Sequence, residues 1–200
     1  MRSVGDVLYN FHWVVPGEAA RAAQAWAGFL ASFLNRHRIR AVINLRGPNP
    51  GFMWWRYETR VCAKLGVVHR DAKLNSRQLA TREMLSALVE AFDGVPKPFL
   101  LKCSGGQDRT SFAAALYLLH RKGFDAVRDA EAQYARWPYL HLPRKEQRWL
   151  RLFVPFACER AQGMSLKDWI ATRYTPEDLE AWLEARGERR AFRKVYGTPG

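Results

Sequence analysis

The run Lys102-Cys103-Ser104-Gly105-Gly106-Gln107-Asp108-Arg109-Thr110-Ser111 holds the residue types and spacing for chemistry on a phosphate group. It follows an apolar, strand-like stretch, Pro98-Phe99-Leu100-Leu101, and leads into a helical one, Phe112 to Leu119. A cysteine at a strand end therefore begins a tight loop that closes at a helix N-terminus. Gly105 and Gly106 let the backbone curl, so that the N–H groups from Ser104, Gly105, Gly106, Gln107 and Asp108 to Arg109 can converge on one anion. The helix dipole adds partial positive charge at the same point. Arg109 supplies a planar fork suited to two phosphate oxygens. Positive charge in the first turn of a helix is unfavourable without an anion. A thiol in such a field is expected to act as a thiolate. The implied chemistry is phosphoryl transfer through a cysteinyl-phosphate, with Cys103 as nucleophile, the loop amides as cradle and Arg109 holding the phosphoryl oxygens.

Cys-x5-Arg-Thr resembles the active loop of the cysteine-dependent protein tyrosine and dual-specificity phosphatases. Other segments resemble the compact, atypical dual-specificity branch, bacterial type. Arg21-Ala22-Ala23-Gln24 is similar to that branch's early Arg-Ser-Ala-Gln element. Arg40-Ala41-Val42-Ile43-Asn44-Leu45-Arg46-Gly47 is similar to its strand ending in asparagine-leucine-arginine, and Gly66-Val67-Val68-His69 to the strand before its acid loop. The likeness covers residues 7–122, in the family's order. It implies that Thr110 supplies a hydroxyl that hydrogen-bonds the thiolate and assists its departure in the second step. Lys102 departs from the pattern, because the family usually carries histidine before the cysteine.

The resemblance leaves the general acid open. In most relatives an aspartate on a separate loop protonates the leaving oxygen and later deprotonates water. Counting from Gly66 places that seat near Asn75-Ser76, where no carboxylate stands. Asp71 is the nearest earlier candidate, inside an expected strand. Asp108 is the other: an aspartate just before the loop arginine recurs in the myotubularin lipid phosphatases as Cys-x2-Gly-x-Asp-Arg, a spacing this chain matches. Arg46, at a strand end, either orients substrate or forms an ion pair. Gln133 and Tyr134 match a pair in relatives without an assigned role.

These residues need a scaffold. Val7–Val15 reads as a first strand, Ala19–Phe33 as an alanine-rich helix, Ala41–Leu45 as a buried strand and Phe52–Lys64 as a helix. Val67–Leu74 is expected as a strand, Thr81–Phe92 as a helix capped by Thr81, and Phe99–Lys102 as the strand delivering Cys103. Such alternation predicts an α/β fold, a central, mainly parallel sheet flanked by helices as in the cysteine phosphatases. Sites in these sheets lie beyond the strands' carboxyl ends. After Gly123 the pattern is helical: Ala126–Trp137, Pro143–Ala161, Leu166–Arg173 and Pro176–Ala185. The expectation is one phosphatase domain over 1–200: a family-like core at 7–122, a helical extension at 123–186 and a frayed tail at 187–200.

Two hundred residues with 48% hydrophobic content can bury a real core. No run of about 18 apolar residues suggests a membrane span. Three widely spaced cysteines argue against a disulfide framework and a zinc site, and Cys62 and Cys158 read as core thiols. His12, His37, His69, His120 and His141 show no metal-ligand spacing, so neither metal nor cofactor is expected. The chain reads as cytoplasmic, where a thiol nucleophile stays reduced. A net charge of +13 attracts polyanions. The expected partners are a phosphorylated protein or an anionic phosphorylated lipid, sugar or inositol; nucleic acid fits the charge but is not favoured. A phosphate-binding pseudophosphatase and a rhodanese-like sulfurtransferase are the rival readings.

Overall fold

The computed structural model describes residues 3–26 and 28–194. Its centre is a five-stranded sheet built from β1 (His12–Val15), β2 (Ala19–Ala22), β3 (Ala41–Asn44), β4 (Val68–Asp71) and β5 (Phe99–Lys102), in the order β1-β2-β5-β3-β4. β1 pairs antiparallel with β2, and the other pairings are parallel. β5 therefore lies mid-sheet, with Lys102 opposite Ala22 on one side and Asn44 on the other.

Successive strand residues point to opposite faces. Ala20, Ala22, Val42 and Leu100 face α2 (Phe29–Arg36) and α3 (Met53–Leu65), and close a core with Phe11, Leu30, Phe33 and Cys62. Ala19, Ala41, Ile43, Phe99 and Leu101 face α4 (Arg82–Gly94) and α5 (Asp108–Lys122). α5 is apolar all round: Phe112 through Leu119 are each at most 2% exposed. A helix of that kind must be wrapped on every side. The sheet covers one side, and α6 (Val127–Ala132), α7 (Trp149–Ala161) and α8 (Leu166–Thr172) cover the rest. Phe112 meets Trp149 and Phe153 edge-to-face at 5.2 Å, and each such buried ring contributes about 1.5–3 kcal/mol by leaving water. α9 (Pro176–Ala185) packs outside α7. The helical third thus encloses the helix that follows the cysteine loop.

Helix starts follow local chemistry. Thr81, Ser165 and Thr175 cap α4, α8 and α9 by accepting from the backbone N–H three residues on. Several sequence expectations are corrected: the helix expected to run to Trp137 ends at Ala132, and the one expected from Pro143 begins as an α-helix at Trp149. Ala19–Phe33 is not one helix: Ala19–Ala22 is β2, and the helix begins only at Phe29. Nor is Val7–Val15 one strand, because Ser3 and Asp6 form a capping box that starts α1 (Val4–Leu8), leaving β1 to begin at His12. Ala191 and Phe192, within the stretch expected to fray, are buried, and Ala191 accepts from Trp149 N–H. Residues 195–200 lie outside the described residues. Among the described residues no helix is long and apolar enough to cross a membrane.

Candidate active site

Cys103 follows β5 directly, at the carboxyl edge of the sheet, and is 4% exposed. The Thr110 hydroxyl, fully buried, donates to its Sγ at 3.1 Å. Between them Ser104–Gln107 make the loop, and α5 starts at Asp108. Gly106 has φ +65°, and a Cβ there would lie 2.5 Å from Ala23 N and 2.7 Å from Ala22 C. Only glycine fits, because the loop is pressed against the end of β2. No acceptor among the described residues takes the N–H groups of Ser104, Gly105, Gly106 or Gln107. The loop carbonyls are held from behind instead: Ser104 O accepts from Gln24 N–H, Gly106 O from Arg21 and Asn10, and Gln107 O from Ser111 N–H. With their carbonyls so tied, the amides are free to serve an anion.

Arg21 is the main brace. It is fully buried, on the sheet face toward α5, and donates to Gly106 O, Ser111 Oγ and both the backbone and side-chain oxygens of Gln133. Its guanidinium lies 4.2 Å from the centre of the Tyr139 ring. Burial lowers its pKa to about 10, which leaves it charged at neutral pH. Arg21, Asn10 and Gln133 were missed as site residues because their partners lie as far as 112 positions away in sequence. The Arg21-Ala22-Ala23-Gln24 likeness and the Gln133-Tyr134 pair were the signals available.

Lys102 points to the opposite face. Its ammonium is buried and pairs with Glu58 at 2.7 Å and Gln24 Oε1 at 2.8 Å, with the Trp54 ring centre 4.8 Å away. Glu58 also receives His69 at 2.8 Å and Gln24 at 2.7 Å. Burial pushes the Glu58 carboxyl up, but His69 and Lys102 outweigh it and hold it below its ordinary value. A closed charged network thus stands where relatives place histidine.

Two guanidiniums remain without a carboxylate. Arg109 lies 3.5 Å from Ser104 Oγ, and Arg46 stacks 3.5 Å from the centre of the Trp54 ring. Neither has an ion pair among the described residues, so the salt bridge entertained for Arg46 is absent. Burial lowers the Arg46 pKa, and Arg109 repels it further while Cys103 and, more weakly, Glu58 attract it. Two like charges close enough to repel, beside a thiol and free amides, are an arrangement that can hold an anion.

The two candidate acids differ in surroundings. Asp71 ends β4, two strands from β5, or about 10 Å at ordinary strand spacing. Its carboxylate accepts from Asn44 at 2.6 Å and from Trp55 at 3.2 Å, and bonds to no residue of the 103–110 loop. Asp108 opens α5 within the loop. It accepts from Gln147 at 2.9 Å and lies 3.5 Å from His141 Nε2. Burial raises its pKa above the ordinary aspartate value, against the pull of Arg109, Gln147 and Arg144. His141 and Gln147 gave no signal for this role in the sequence, and Ser76, which hydrogen-bonds Gln147, stood out only as the place where the acid was expected. The described residues contain no cluster of three or more His, Cys, Asp or Glu able to hold a metal.

No protein-family model matches the chain, and no curated protein matches it by sequence. Solved structures do. TpbA of P. aeruginosa aligns with a TM-score of 0.59 and 16% identity over 85% of this chain and 92% of that one. A putative phosphatase of Shewanella putrefaciens gives 0.56 and 16%, over 78% and 98%. The core catalytic domain of the PP-IP phosphatase SIW14 from S. cerevisiae gives 0.51 and 15%, over 90% and 93%. At these identities the likeness is one of architecture, and the chain has the cysteine-phosphatase fold.

Proposed function

We propose that the protein hydrolyses phosphomonoesters through a cysteinyl-phosphate intermediate. The observation that carries this reading is the buried Cys103 thiol, hydrogen-bonded by Thr110, beside free loop amides and the guanidiniums of Arg109 and Arg46, neither of which has a salt bridge among the described residues. In the first step the Cys103 sulfur attacks phosphorus and the ester P–O bond breaks. The loop N–H groups and Arg109 hold the three equatorial oxygens, where charge is spread in the transition state. Asp108 gives its proton to the leaving oxygen. In the second step water attacks the phosphocysteine, Asp108 takes the water proton, and Thr110 stabilises the departing thiolate. Asp108 is preferred over Asp71 because it opens the helix at the loop and its burial favours the protonated form at higher pH. The substrate is a phosphorylated protein or an anionic phosphorylated lipid, sugar or inositol, drawn in by the positive field.

Turnover of para-nitrophenyl phosphate tests the reading. It should be inhibited by vanadate and abolished in Cys103→Ser, with inorganic phosphate still bound. Phosphate binding without turnover from pH 5 to 8 would instead mark a binding module.

A further inference from the structure

We infer that His141 is a positioning residue that keeps the proton of Asp108 on Oδ1, facing the imidazole, until substrate claims it. The inference rests on the reading of Asp108 as general acid and adds a device to it. His141 is 4% exposed, although its neighbours Leu140 and Leu142 are 41% and 63% exposed. The loop between α6 and α7 therefore turns one imidazole inward, onto the start of α5.

The hydrogen bonds fix its tautomer. His141 Nδ1 lies 3.2 Å from the Tyr134 carbonyl, which can only accept, so Nδ1 carries the hydrogen. In the neutral ring Nε2 then carries a lone pair. That Nε2 is buried, has no hydrogen-bond partner, and lies 3.5 Å from Asp108 Oδ1. Burial lowers the His141 pKa to about 4, and Arg21 and Arg151 also oppose an imidazolium. A lone pair facing a carboxylate oxygen is repulsive; a proton on that oxygen removes the repulsion and lets the two atoms close from 3.5 Å to an O–H···N hydrogen bond.

The other oxygen cannot take the proton instead. Gln147 Oε1 accepts from Arg144 N–H at 2.8 Å, which orients the amide so that its NH2 donates to Ser76 Oγ and to Asp108 Oδ2. Oδ2 is thus held as an acceptor, and Oδ1 is left to carry the hydrogen. Arg109 and Arg144 are the charges that face Asp108, and both favour its ionised form. Burial opposes them, and the lone pair of His141 acts in the same sense, because a hydrogen bond to the neutral acid favours that acid. On catalysis the O–H turns from Nε2 to the leaving-group oxygen, and the proton abstracted from water later returns to Oδ1.

His141→Phe keeps the edge contact with the Tyr134 ring, whose centre lies 5.2 Å away, and removes the acceptor. Activity depends on protonated Asp108, so it falls as pH rises through the pKa of that group. Losing the acceptor should move this alkaline limb about one unit lower and reduce kcat/KM for an alkyl phosphate about tenfold at pH 7. The para-nitrophenyl ester, whose leaving group hardly needs a proton, should change less than twofold, and His141→Gln should restore most of the alkyl-phosphate rate. Equal losses on both esters, or an unmoved limb, would overturn the inference. So would nitrogen NMR of the unsubstituted protein showing the hydrogen on Nε2 of His141, a readout that does not depend on the variant folding. If Asp108→Asn separates the two esters and His141→Phe does not, only this inference fails. If Asp108→Asn also fails to separate them while Cys103→Ser is dead, the acid assignment fails.

Discussion

Glu58→Gln removes one charge from a buried pair and leaves Lys102, 1% exposed, without a counter-ion. A lysine in that position gives up its proton. Its ordinary pKa is near ~10.4, so holding it neutral costs about 1.4 kcal/mol for each pH unit below that value, or about 4.6 kcal/mol at pH 7. This is an upper bound, because Gln24 Oε1 still accepts from the nitrogen and the Trp54 ring still faces it. The expected loss is about 3–4 kcal/mol at pH 7, in the range seen when one member of a buried pair is removed. The sign with pH follows from proton counting. The folded variant binds fewer protons at Lys102 than the unfolded chain does, so its stability rises with pH up to the unfolded pKa. The gap to the unsubstituted protein should therefore shrink by about 1.4 kcal/mol per unit and fall below about 1 kcal/mol near pH 10. Urea denaturation with linear extrapolation at unit steps from pH 6 to 10 measures this. The double variant Glu58→Gln/Lys102→Met should regain most of the loss at pH 7, since an absent pair is far less costly than a broken one. A deficit that does not change with pH, or one below about 1 kcal/mol at pH 7, would refute the assignment of a charged Lys102–Glu58 pair beneath the cysteine.

Three further outcomes are expected. Gly106→Ala forces a Cβ into the Ala22–Ala23 backbone and should weaken phosphate binding at least tenfold, by about 1.4 kcal/mol or more, as read by isothermal titration. Arg21→Met strands the acceptors at Gly106 and Gln133 and should cost about 3–5 kcal/mol in urea unfolding, with turnover lost even where the fold survives. Glu18 accepts from Tyr117, Lys97 and Arg121, which together bring its pKa down to about 2, the Tyr117 hydrogen bond being the strongest cause. A depressed carboxyl stabilises the fold above its ordinary value of 4.5 and loses that contribution as pH falls from there to about 2. Urea midpoints of the unsubstituted protein and Glu18→Gln should thus differ at pH 6 and converge by pH 2–3.

The sequence disclosed what is local. Strand, loop and helix around Cys103 are contiguous, and the glycines, the apolar run before them and the alanines after them each favour the conformation found. Ala19–Ala22 was misread because alanine favours helix in isolation, whereas here small side chains are required where β2 lies buried between β1 and β5 and where Gly106 touches the next peptide. The same stretch holds Arg21, whose four hydrogen bonds form only after residues 106, 111 and 133 have been brought together. Asp108 and Asp71 were both visible as carboxylates. Their difference was not, since it depends on Gln147 and His141 for one and on Asn44 and Trp55 for the other. Lys102 read as a departure from a pattern, and the Glu58 that makes it tolerable lies 44 residues earlier on a helix.

The carbonyls of Ser104 and Gly106 are tied to Gln24, Arg21 and Asn10 behind the loop, and that of Gln107 to the first turn of α5. Peptides anchored in this way resist flipping, which holds the N–H groups of Gly105, Gln107 and Asp108 in one orientation. On the proposed reading, phosphate would meet these amides already aimed at it. If the protein acts as proposed, a slow leaving group should set the rate before any motion of the loop does.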